Sequence, residues 1–155
     1  MRVIVGAVGR PRDPHLAHAI EDYEARAARY WRLDVREVRE EPARGASAER
    51  VREREGERLL ARVPAGARLV VCDASGQQMT SGEFAHWLRG ERERGGPDVA
   101  FVIGGAFGHS PRVRDVAASL LSFSRWTLPH EIARLVLAEQ LYRAGTIVRG
   151  EPYHK

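Results

Sequence analysis

The stretch "DVAFVIGGAFGHS" (residues 98–110) is a continuous apolar run that ends in a glycine-rich loop. An uninterrupted apolar run closed by glycine is typical of a strand that is buried on both faces, as in a parallel sheet. Glycine carries no side chain, so the backbone of the loop can approach a ligand closely. The stretch therefore predicts a buried strand with a candidate binding loop at its carboxyl end.

Segments on either side of this stretch alternate between strand-like and helix-like patterns. The run "ARLVVCDASG" (67–76) predicts a strand that ends in an aspartate and a glycine turn, and "RVIVGAVG" (2–9) predicts another. The polar stretch 32–40 is a strand candidate for a sheet edge. Helices are predicted over residues 13–31, 48–63, 80–95 and 129–144, and a short helix followed by a strand over 111–128. This alternation predicts an α/β fold with a parallel-rich sheet flanked by helices on both faces.

Length and cysteine content narrow the class of protein. The chain has 155 residues, the length of one domain, and its single cysteine, Cys72, can form no internal disulfide. No apolar run approaches the ~20 residues needed to span a bilayer, and the first apolar run is too short for a secretory signal. His15 and His18 share a helix face, but no third metal ligand accompanies them. We therefore predict a cytoplasmic protein without a membrane span or a metal site.

Positive charge suggests a polyanionic partner. The formal net charge is +4, and 24 of the 25 basic residues are arginine. This bias follows either from genome composition or from phosphate recognition, since guanidinium groups pair with phosphate in a bidentate manner. Arg50, Arg54, Arg58 and Arg62 recur every four residues and so share one helix face. That face is either solvated or a basic stripe against RNA, and the sequence leaves both open.

Three predicted strand ends carry glycine, serine or threonine, at residues 72–76, 104–108 and 123–128. Ligands of parallel sheets bind at the carboxyl ends of the strands. The loop at 104–108 is not the G-x-G-x-x-G of dinucleotide-binding proteins, and the chain contains neither a Walker A motif nor G-x-S-x-G. The sequence therefore indicates a small-molecule pocket that uses none of these common motifs.

The chain resembles the RlmH family, the ribosomal large-subunit RNA methyltransferase H proteins of the SPOUT class. The resemblance covers essentially all 155 residues in order and is most specific at the C-terminus. The matching positions are Val8-Gly9, Glu55 to Arg58, Asp73 with Gly76, Ile103 to Gly105 with Gly108, Ser124, Thr127 to His130, Ala133 to Leu135, Glu139 to Ala144 and Gly150 to Lys155.

The resemblance implies a fold and an activity. The fold is that of SPOUT methyltransferases, whose C-terminal part threads a deep trefoil knot, and residues 1–155 form a single such domain without a separate RNA-binding domain. Proteins of this kind act as homodimers and bind S-adenosylmethionine in a bent form. The RlmH type methylates N3 of a pseudouridine in helix 69 of 23S rRNA and prefers the assembled ribosome.

The resemblance also assigns site residues. The expected cofactor pocket consists of Cys72, Gly104, Phe123, Ser124, Arg125, Trp126, Thr127 and Leu128. Its main departures are Gln77, where the family has lysine, an aromatic pair at Phe123 and Trp126, where the family has leucine and methionine, and Cys72, where an aliphatic residue is usual. Main-chain contacts to a ligand survive these changes.

The C-terminal residues Arg143, Tyr153 and His154 are expected to be catalytic, in the tail of one subunit beside the pocket of the other. His154 is either the base that deprotonates the imide or a contact without proton transfer. Arg143 stabilises the developing anion or holds phosphate, and Tyr153 stacks on the base or hydrogen-bonds to it.

Two other classes of protein stay open. A non-catalytic, RNA-binding ribosome assembly factor would account equally well for the basic charge, but it needs no enclosed small-molecule pocket. A flavodoxin-like nucleotide binder is disfavoured, because the glycine-rich and serine-rich loops lie in the second half of the chain.

Overall fold

The computed structural model describes residues 1–154, in which five strands alternate with five helices. In chain order they are β1 (Arg2–Val8), α1 (Pro14–Ala27), β2 (Arg32–Val38), α2 (Ala48–Leu60), β3 (Arg68–Gln78), α3 (Ser81–Glu93), β4 (Val99–Ile103), α4 (Pro111–Asp115), β5 (Ser119–Ser122) and α5 (His130–Arg149). The predicted alternation is confirmed. No helix within residues 1–154 is long and apolar enough to cross a membrane.

All five strands run parallel in one sheet, in the order β2-β1-β4-β3-β5. The strand of the glycine-rich stretch, β4, lies at the centre, and each of its residues is buried. The polar strand β2 lies at one edge, as its sequence predicts. The carboxyl ends of β3 and β4, which are neighbours, therefore meet at the same edge of the sheet.

Helices cover both faces of the sheet, which confirms the predicted α/β class. On one face, α1, α3 and α5 build a core around Phe101, which is fully buried. On the other face, Leu59 of α2 and Val113 of α4 pack with Val71 and Val102 of the sheet. Successive residues of a strand point to opposite faces, so Phe101 and Val102 belong to different cores.

The expected turn at the end of β3 is instead a bulge, and the strand continues to Gln78. The Asp73 carboxylate accepts hydrogen bonds from the Ser75 N–H at 2.9 Å and the Ser75 hydroxyl at 2.7 Å, so the chain leaves the ladder here. It then returns to β5 with a shifted register. A Cβ on Gly76 would lie 2.5 Å from the Leu120 carbonyl carbon, so this close return requires glycine.

The last helix runs five residues beyond its predicted end at Ala144, to Arg149. Gly145 does not end the helix because it gives room to another side chain, and a Cβ there would lie 2.3 Å from Tyr30 Cγ. The helix ends at Gly150, which adopts the left-handed conformation with φ 67° that favours glycine.

A buried ion cluster fixes the first half of α5. Arg134 is only 6% exposed, although its sequence context suggests the polar side of the helix. Its guanidinium contacts Glu24 of α1 at 2.8 Å and Glu37 of β2 at 2.7 Å. Two carboxylates thus compensate the buried cation, and together they tie α5 to α1 and to the sheet edge.

Candidate functional site

A cavity of about 650 Å³ opens where β3 and β4 end, beside the segment between β5 and α5. This volume is typical of small-molecule sites. The three strand ends meet here because parallel strands finish at one edge of the sheet. The cavity is lined by all but one of the residues expected to bind the cofactor, namely Cys72, Gly104, Phe123, Ser124, Trp126, Thr127 and Leu128.

Arg125 is the exception, since it lies outside the cavity lining and is exposed. Two serine hydrogen bonds form a tight turn around it. The Trp126 N–H donates to Ser124 Oγ at 2.9 Å, and the Ser122 hydroxyl donates to the Ser124 carbonyl at 2.8 Å. Trp126 lies at the rim of the cavity and is 81% exposed, so an aromatic ring stands at the entrance.

The glycine loop folds back on itself to form one wall. Gly105 and Gly108 form an isolated antiparallel bridge, with a hydrogen bond of 3.0 Å from the Gly108 N–H to the Gly105 carbonyl. Gly108 has φ 75°, which favours glycine. A Cβ on Gly104 would lie 2.9 Å from the carbonyl carbon and oxygen of Gly108. The close return of the loop therefore depends on glycine at both Gly104 and Gly108.

Helix α2 supports the loop from behind through Glu55 and Gly56. Glu55 is 4% exposed, and a Cβ on Gly105 would lie 2.5 Å from its Oε2 atom. A Cβ on Gly56 would lie 2.7 Å from Val113 Cγ2, so α2 also packs tightly against α4. Burial raises the pKa of the Glu55 carboxyl, an effect that the Glu41 N–H opposes by donating to Oε1 at 3.0 Å.

Sequence patterns alone give Glu55 no role at this site. Its burial depends on a contact between α2 and the glycine loop that no local pattern reveals. Only the resemblance marks the Glu55-Gly56 pair.

His109, which lines the cavity, is another residue that sequence reasoning missed. Its Nε2 atom lies 3.1 Å from the Gly104 nitrogen and 3.2 Å from the Cys72 carbonyl oxygen. Burial lowers the pKa of the imidazole, and Arg114 adds to this effect, whereas Asp73 opposes it. The position of a polar residue directly after the glycine loop is the signal that could have found it.

An ion pair closes the side of the cavity formed by β3 and α4. Asp73 and Arg114, which both line the cavity, approach to 2.7 Å. Burial alone would raise the pKa of the Asp73 carboxyl, but the hydrogen bonds from Ser75 and the charge of Arg114 outweigh it, and the pKa lies below its ordinary value. Burial raises the pKa of the Cys72 thiol, so the thiol stays protonated and the polar group that Cys72 offers is its carbonyl.

The cavity suits S-adenosylmethionine, the cofactor that the resemblance implies. Its glycine wall leaves backbone accessible, and its volume lies within the range of pockets for ligands of that size. Two lining residues carry buried polar atoms without a hydrogen-bond partner in the described chain, His109 Nδ1 and His130 Nε2. Buried polar atoms of this kind are usually satisfied by a ligand or an ordered water.

Arg143, Tyr153 and His154 lie together on the outer part of α5. Two guanidinium nitrogens of Arg143 donate hydrogen bonds to Glu139 Oε1, at 2.9 and 2.6 Å. The third guanidinium nitrogen lies 3.3 Å from His154 Nδ1. The Tyr153 hydroxyl donates to the same Glu139 oxygen at 3.1 Å. The tail thus folds back along the helix. Lys155, the last residue of the matching stretch, lies outside the described residues.

Aromatic contacts hold Tyr153 in this arrangement. Its ring centroid lies 4.6 Å from that of Tyr142, and the Arg143 guanidinium carbon lies 4.7 Å from its centroid. Burial and the neighbouring Glu139 carboxylate raise the pKa of the Tyr153 phenol. The phenol is therefore a hydrogen-bond donor at neutral pH and no base.

The cofactor cavity and these three residues are far apart within one chain. His130 and Ala133 of α5 line the cavity, and Arg143 lies ten residues beyond Ala133 along the same helix. With a rise of 1.5 Å per residue, this separation is about 15 Å. None of the three expected catalytic residues is among those that line the cavity of the same subunit.

Two of the four arginines of the α2 stripe are paired. Arg58 bonds Glu41 and donates to the Arg39 carbonyl at 2.9 Å, and Arg54 contacts Glu57 at 3.3 Å. Within residues 1–154 the guanidinium groups of Arg50 and Arg62 have no such partner, so both interpretations of this face stay open. No group of three or more metal-ligating side chains occurs within residues 1–154.

Comparison with known proteins assigns the chain to a family. The family described as "Predicted SPOUT methyltransferase" matches residues 1–154. A protein of Gemmatimonas aurantiaca is 62% identical over 155 residues, with 100% of both chains covered. One of Anaeromyxobacter sp. is 48% identical with the same coverage, and one of Geotalea daltonii is 46% identical with 99% of both chains covered. Each of these three relatives is named ribosomal RNA large subunit methyltransferase H.

One solved structure that resembles this chain is the SpoU methyltransferase AviRb from Streptomyces viridochromogenes in complex with AdoMet. Its TM-score is 0.44 and its sequence identity 16%, and the match covers 91% of this chain and 56% of AviRb. The chain belongs to the SPOUT methyltransferase family, in the group whose members are named ribosomal RNA large subunit methyltransferase H.

Proposed function

We propose that this protein is a cytoplasmic rRNA methyltransferase that transfers a methyl group from S-adenosylmethionine to N3 of a pseudouridine in helix 69 of 23S rRNA, within the assembled ribosome. The observation that carries the proposal is the full-length match, at 62% identity, to a relative named ribosomal RNA large subunit methyltransferase H. The choice of nucleotide and of the assembled ribosome as substrate follows from the RlmH resemblance.

The proposed cofactor site is the cavity at the ends of β3 and β4. When bound, S-adenosylmethionine supplies an activated methyl group on a positively charged sulfur. The Cys72 carbonyl and the backbone of the glycine loop offer donors and acceptors to its polar edges, and Trp126 stands at the rim of the cavity. The proposal includes the deep trefoil knot in the C-terminal part and a single catalytic domain over residues 1–155.

The active site is proposed to form between two subunits. About 15 Å of helix separate Ala133, which lines the cavity, from Arg143 in one chain, and a second copy that places its tail beside the cavity would bring these groups together. Helix α5 offers a surface for this contact. Ile132, Leu135 and Val136 remain partly exposed there, whereas Leu141 of the same helix is fully buried in the core.

The hydrogen bond between Arg143 and His154 determines which nitrogen of the neutral His154 ring carries the proton. Arginine only donates, so His154 Nδ1 accepts, and a neutral ring then carries its proton on Nε2. In this arrangement the ring presents a donor to the substrate, which suits a carbonyl oxygen of the base better than the N3 proton. The geometry therefore favours positioning by His154 over general-base catalysis.

The proposed reaction is expected to appear as one methyl group per ribosome. Ribosomes from a strain that lacks the gene are incubated with the protein and labelled S-adenosylmethionine, and the modified nucleotide is mapped by mass spectrometry. Ribosomes from the parental strain are the control and should accept no label. Binding of ribosomes without methyl transfer would instead support the non-catalytic assembly factor, and a methyl group elsewhere in the rRNA would contradict the proposed target.

A symmetric homodimer is expected in solution. Sedimentation at micromolar concentration should give the mass of two chains, and Leu135→Glu should shift the equilibrium toward the monomer because it places a charge on the apolar face of α5. Val116→Glu is the matched control, since Val116 is 56% exposed at the end of α4 on the opposite face of the sheet. A parent chain that sediments only as a monomer contradicts the shared active site.

A further inference from the structure

His109 stands where the two central strand ends meet at the floor of the cavity. Its Nε2 atom is 3.1 Å from the Gly104 nitrogen and 3.2 Å from the Cys72 carbonyl oxygen, and the residue is only 6% exposed. One ring nitrogen thus faces a donor that follows β4 and an acceptor on β3. Both neighbours belong to the segments proposed to bind the cofactor.

One ring nitrogen cannot serve both neighbours at once. Without a proton, Nε2 accepts from the Gly104 N–H and leaves the Cys72 carbonyl open. With a proton, Nε2 donates to the Cys72 carbonyl, and the buried Gly104 N–H loses its acceptor. In the first arrangement the neutral ring carries its proton on Nδ1, which is buried and has no partner within residues 1–154 but belongs to a residue that lines the cavity, so an ordered water or a ligand can accept it. In the second arrangement the orphan donor is the backbone N–H of Gly104, and a buried backbone N–H without a partner is rare in proteins, so we take the first arrangement as the stable one.

We propose that His109 is a positioning residue of the cofactor pocket, whose neutral ring holds the first N–H of the glycine loop and leaves the Cys72 carbonyl free to accept a hydrogen bond from the ligand. Protonation reverses both effects, because the charged ring donates to Cys72 and repels the Gly104 N–H. Ligand binding therefore requires neutral His109. This inference rests on the proposed use of S-adenosylmethionine.

The surroundings keep the ring neutral near pH 7. Asp73 at the end of β3 and Arg114 on α4 are the charged groups that face it, and His130 at the start of α5 lines the same cavity. Burial, the largest effect, lowers the pKa of His109, and Arg114 acts in the same direction, while Asp73 and the Cys72 carbonyl oppose them. The effect of protonation should therefore appear below the ordinary pKa of histidine, about 6.5.

The test compares His109→Leu, which removes the acceptor, with His109→Gln, whose amide oxygen can accept from Gly104 but does not titrate. Calorimetry measures binding of S-adenosylmethionine and S-adenosylhomocysteine between about pH 5 and 8. We expect the leucine variant to bind both about tenfold more weakly at neutral pH. The glutamine variant should match the parent at neutral pH and show no pH dependence. His86→Gln, an exposed histidine on α3, is the control.

The two ligands separate positioning from charge repulsion, because only S-adenosylmethionine carries the positive sulfur. Equal loss of affinity for both ligands at low pH supports positioning, and a loss confined to S-adenosylmethionine overturns it. A glutamine variant as weak as the leucine variant also overturns it.

A readout without ligand separates this inference from the proposed function. NMR can detect scalar coupling across an N–H···N hydrogen bond, here from the Gly104 nitrogen to His109 Nε2, in the ligand-free protein. Its absence overturns the inference even if the cofactor binds. If the coupling is present but the parent binds neither ligand, the proposed function fails and His109 is only structural.

Stability gives a second ligand-free readout, with a defined sign. The folded state binds fewer protons than the unfolded chain when a histidine pKa is lowered, so the parent should lose stability as the pH falls through about 6.5. Both His109 variants should lack this component of the pH dependence. Identical profiles for parent and variants would contradict a titrating ring at this position.

Discussion

Replacing Gly104 by valine is expected to abolish S-adenosylmethionine binding in a protein that remains folded. A Cβ at this position would lie 2.9 Å from the carbonyl carbon and oxygen of Gly108, and backbone atoms cannot move aside as a flexible side chain can. The glycine loop must therefore shift, and it carries one wall of the cavity with it. Overpacking of this kind costs about 1–3 kcal/mol, which alone corresponds to a loss of affinity of about 5- to 150-fold, and the displaced loop loses its contacts to the ligand as well.

The fold should survive this substitution because the strain is confined to a loop beyond the end of β4. Gly82→Val is the matched control, since its Cβ would have no neighbour closer than Thr80 Oγ1 at 4.0 Å. Circular dichroism and thermal unfolding report the fold, and calorimetry reports the affinity. Unchanged affinity in a folded Gly104→Val protein would place the cofactor site elsewhere.

The sequence alone also predicts that Gly104→Val loses cofactor binding, but for a different reason. From the sequence, the branched carbons of valine would occupy the space of the cofactor. In the structure, the first steric conflict is within the loop itself, at Gly108. That conflict depends on the loop folding back, which no local pattern around Gly104 reveals.

The architecture could be predicted because its determinants are local. Apolar runs closed by glycine mark the buried strands, and the polar composition of β2 marks an edge. Helices α1 and α2 end four and three residues before their predicted ends, at Ala27 and Leu60. Two further errors of extent, in β3 and α5, have tertiary causes. β3 continues past Asp73 because Gly76 lets the chain return to β5, and α5 continues past Gly145 because that residue makes room for Tyr30.

Some residues of the site could likewise be predicted from local sequence patterns, and others could not. Strand ends could be predicted from sequence because parallel topology alone brings them together. Glu55 could not, because its burial depends on α2 packing behind the loop. The position of His109 directly after the glycine loop marks it as a candidate, but its contact with Cys72 depends on β3 lying beside β4. The tail lies between these cases. Its composition marks it as unusual, but no sequence pattern shows that about 15 Å of α5 separate Arg143 from the cavity of the same chain.

Removal of residues 152–155 is expected to abolish methyl transfer while dimerisation and cofactor binding persist. The truncated chain loses Tyr153 and His154 and leaves Arg143 without its tail partners, but it keeps the cavity and the apolar face of α5. Groups that orient or protonate a substrate typically contribute a factor of about 100 or more to the rate. Single-turnover methylation of ribosomes should therefore fall by at least that factor.

The truncation is also expected to lower stability, although a short polar tail suggests almost no effect. Tyr153 packs against Tyr142 and donates a hydrogen bond to Glu139. Loss of one aromatic pair and one hydrogen bond costs about 2 kcal/mol in total. Tyr153→Phe is the matched variant, since it removes only the hydroxyl and should lose less stability. Denaturant unfolding measures the difference, and equal losses would show that the ring contributes nothing.

The pH dependence of His154→Ala separates the two roles of the imidazole. If His154 were the base, the loss would shrink as the pH rises, because more of the N3 imide would ionise by itself. We instead expect a loss that is the same at every pH, because Arg143 donates to Nδ1 and leaves Nε2 as a donor. Single-turnover methylation across a pH series, with parent, truncated and His154→Ala proteins side by side, measures this directly. Recovery of His154→Ala at high pH would establish the base, and a truncated protein with the parental rate would remove the tail from the active site altogether.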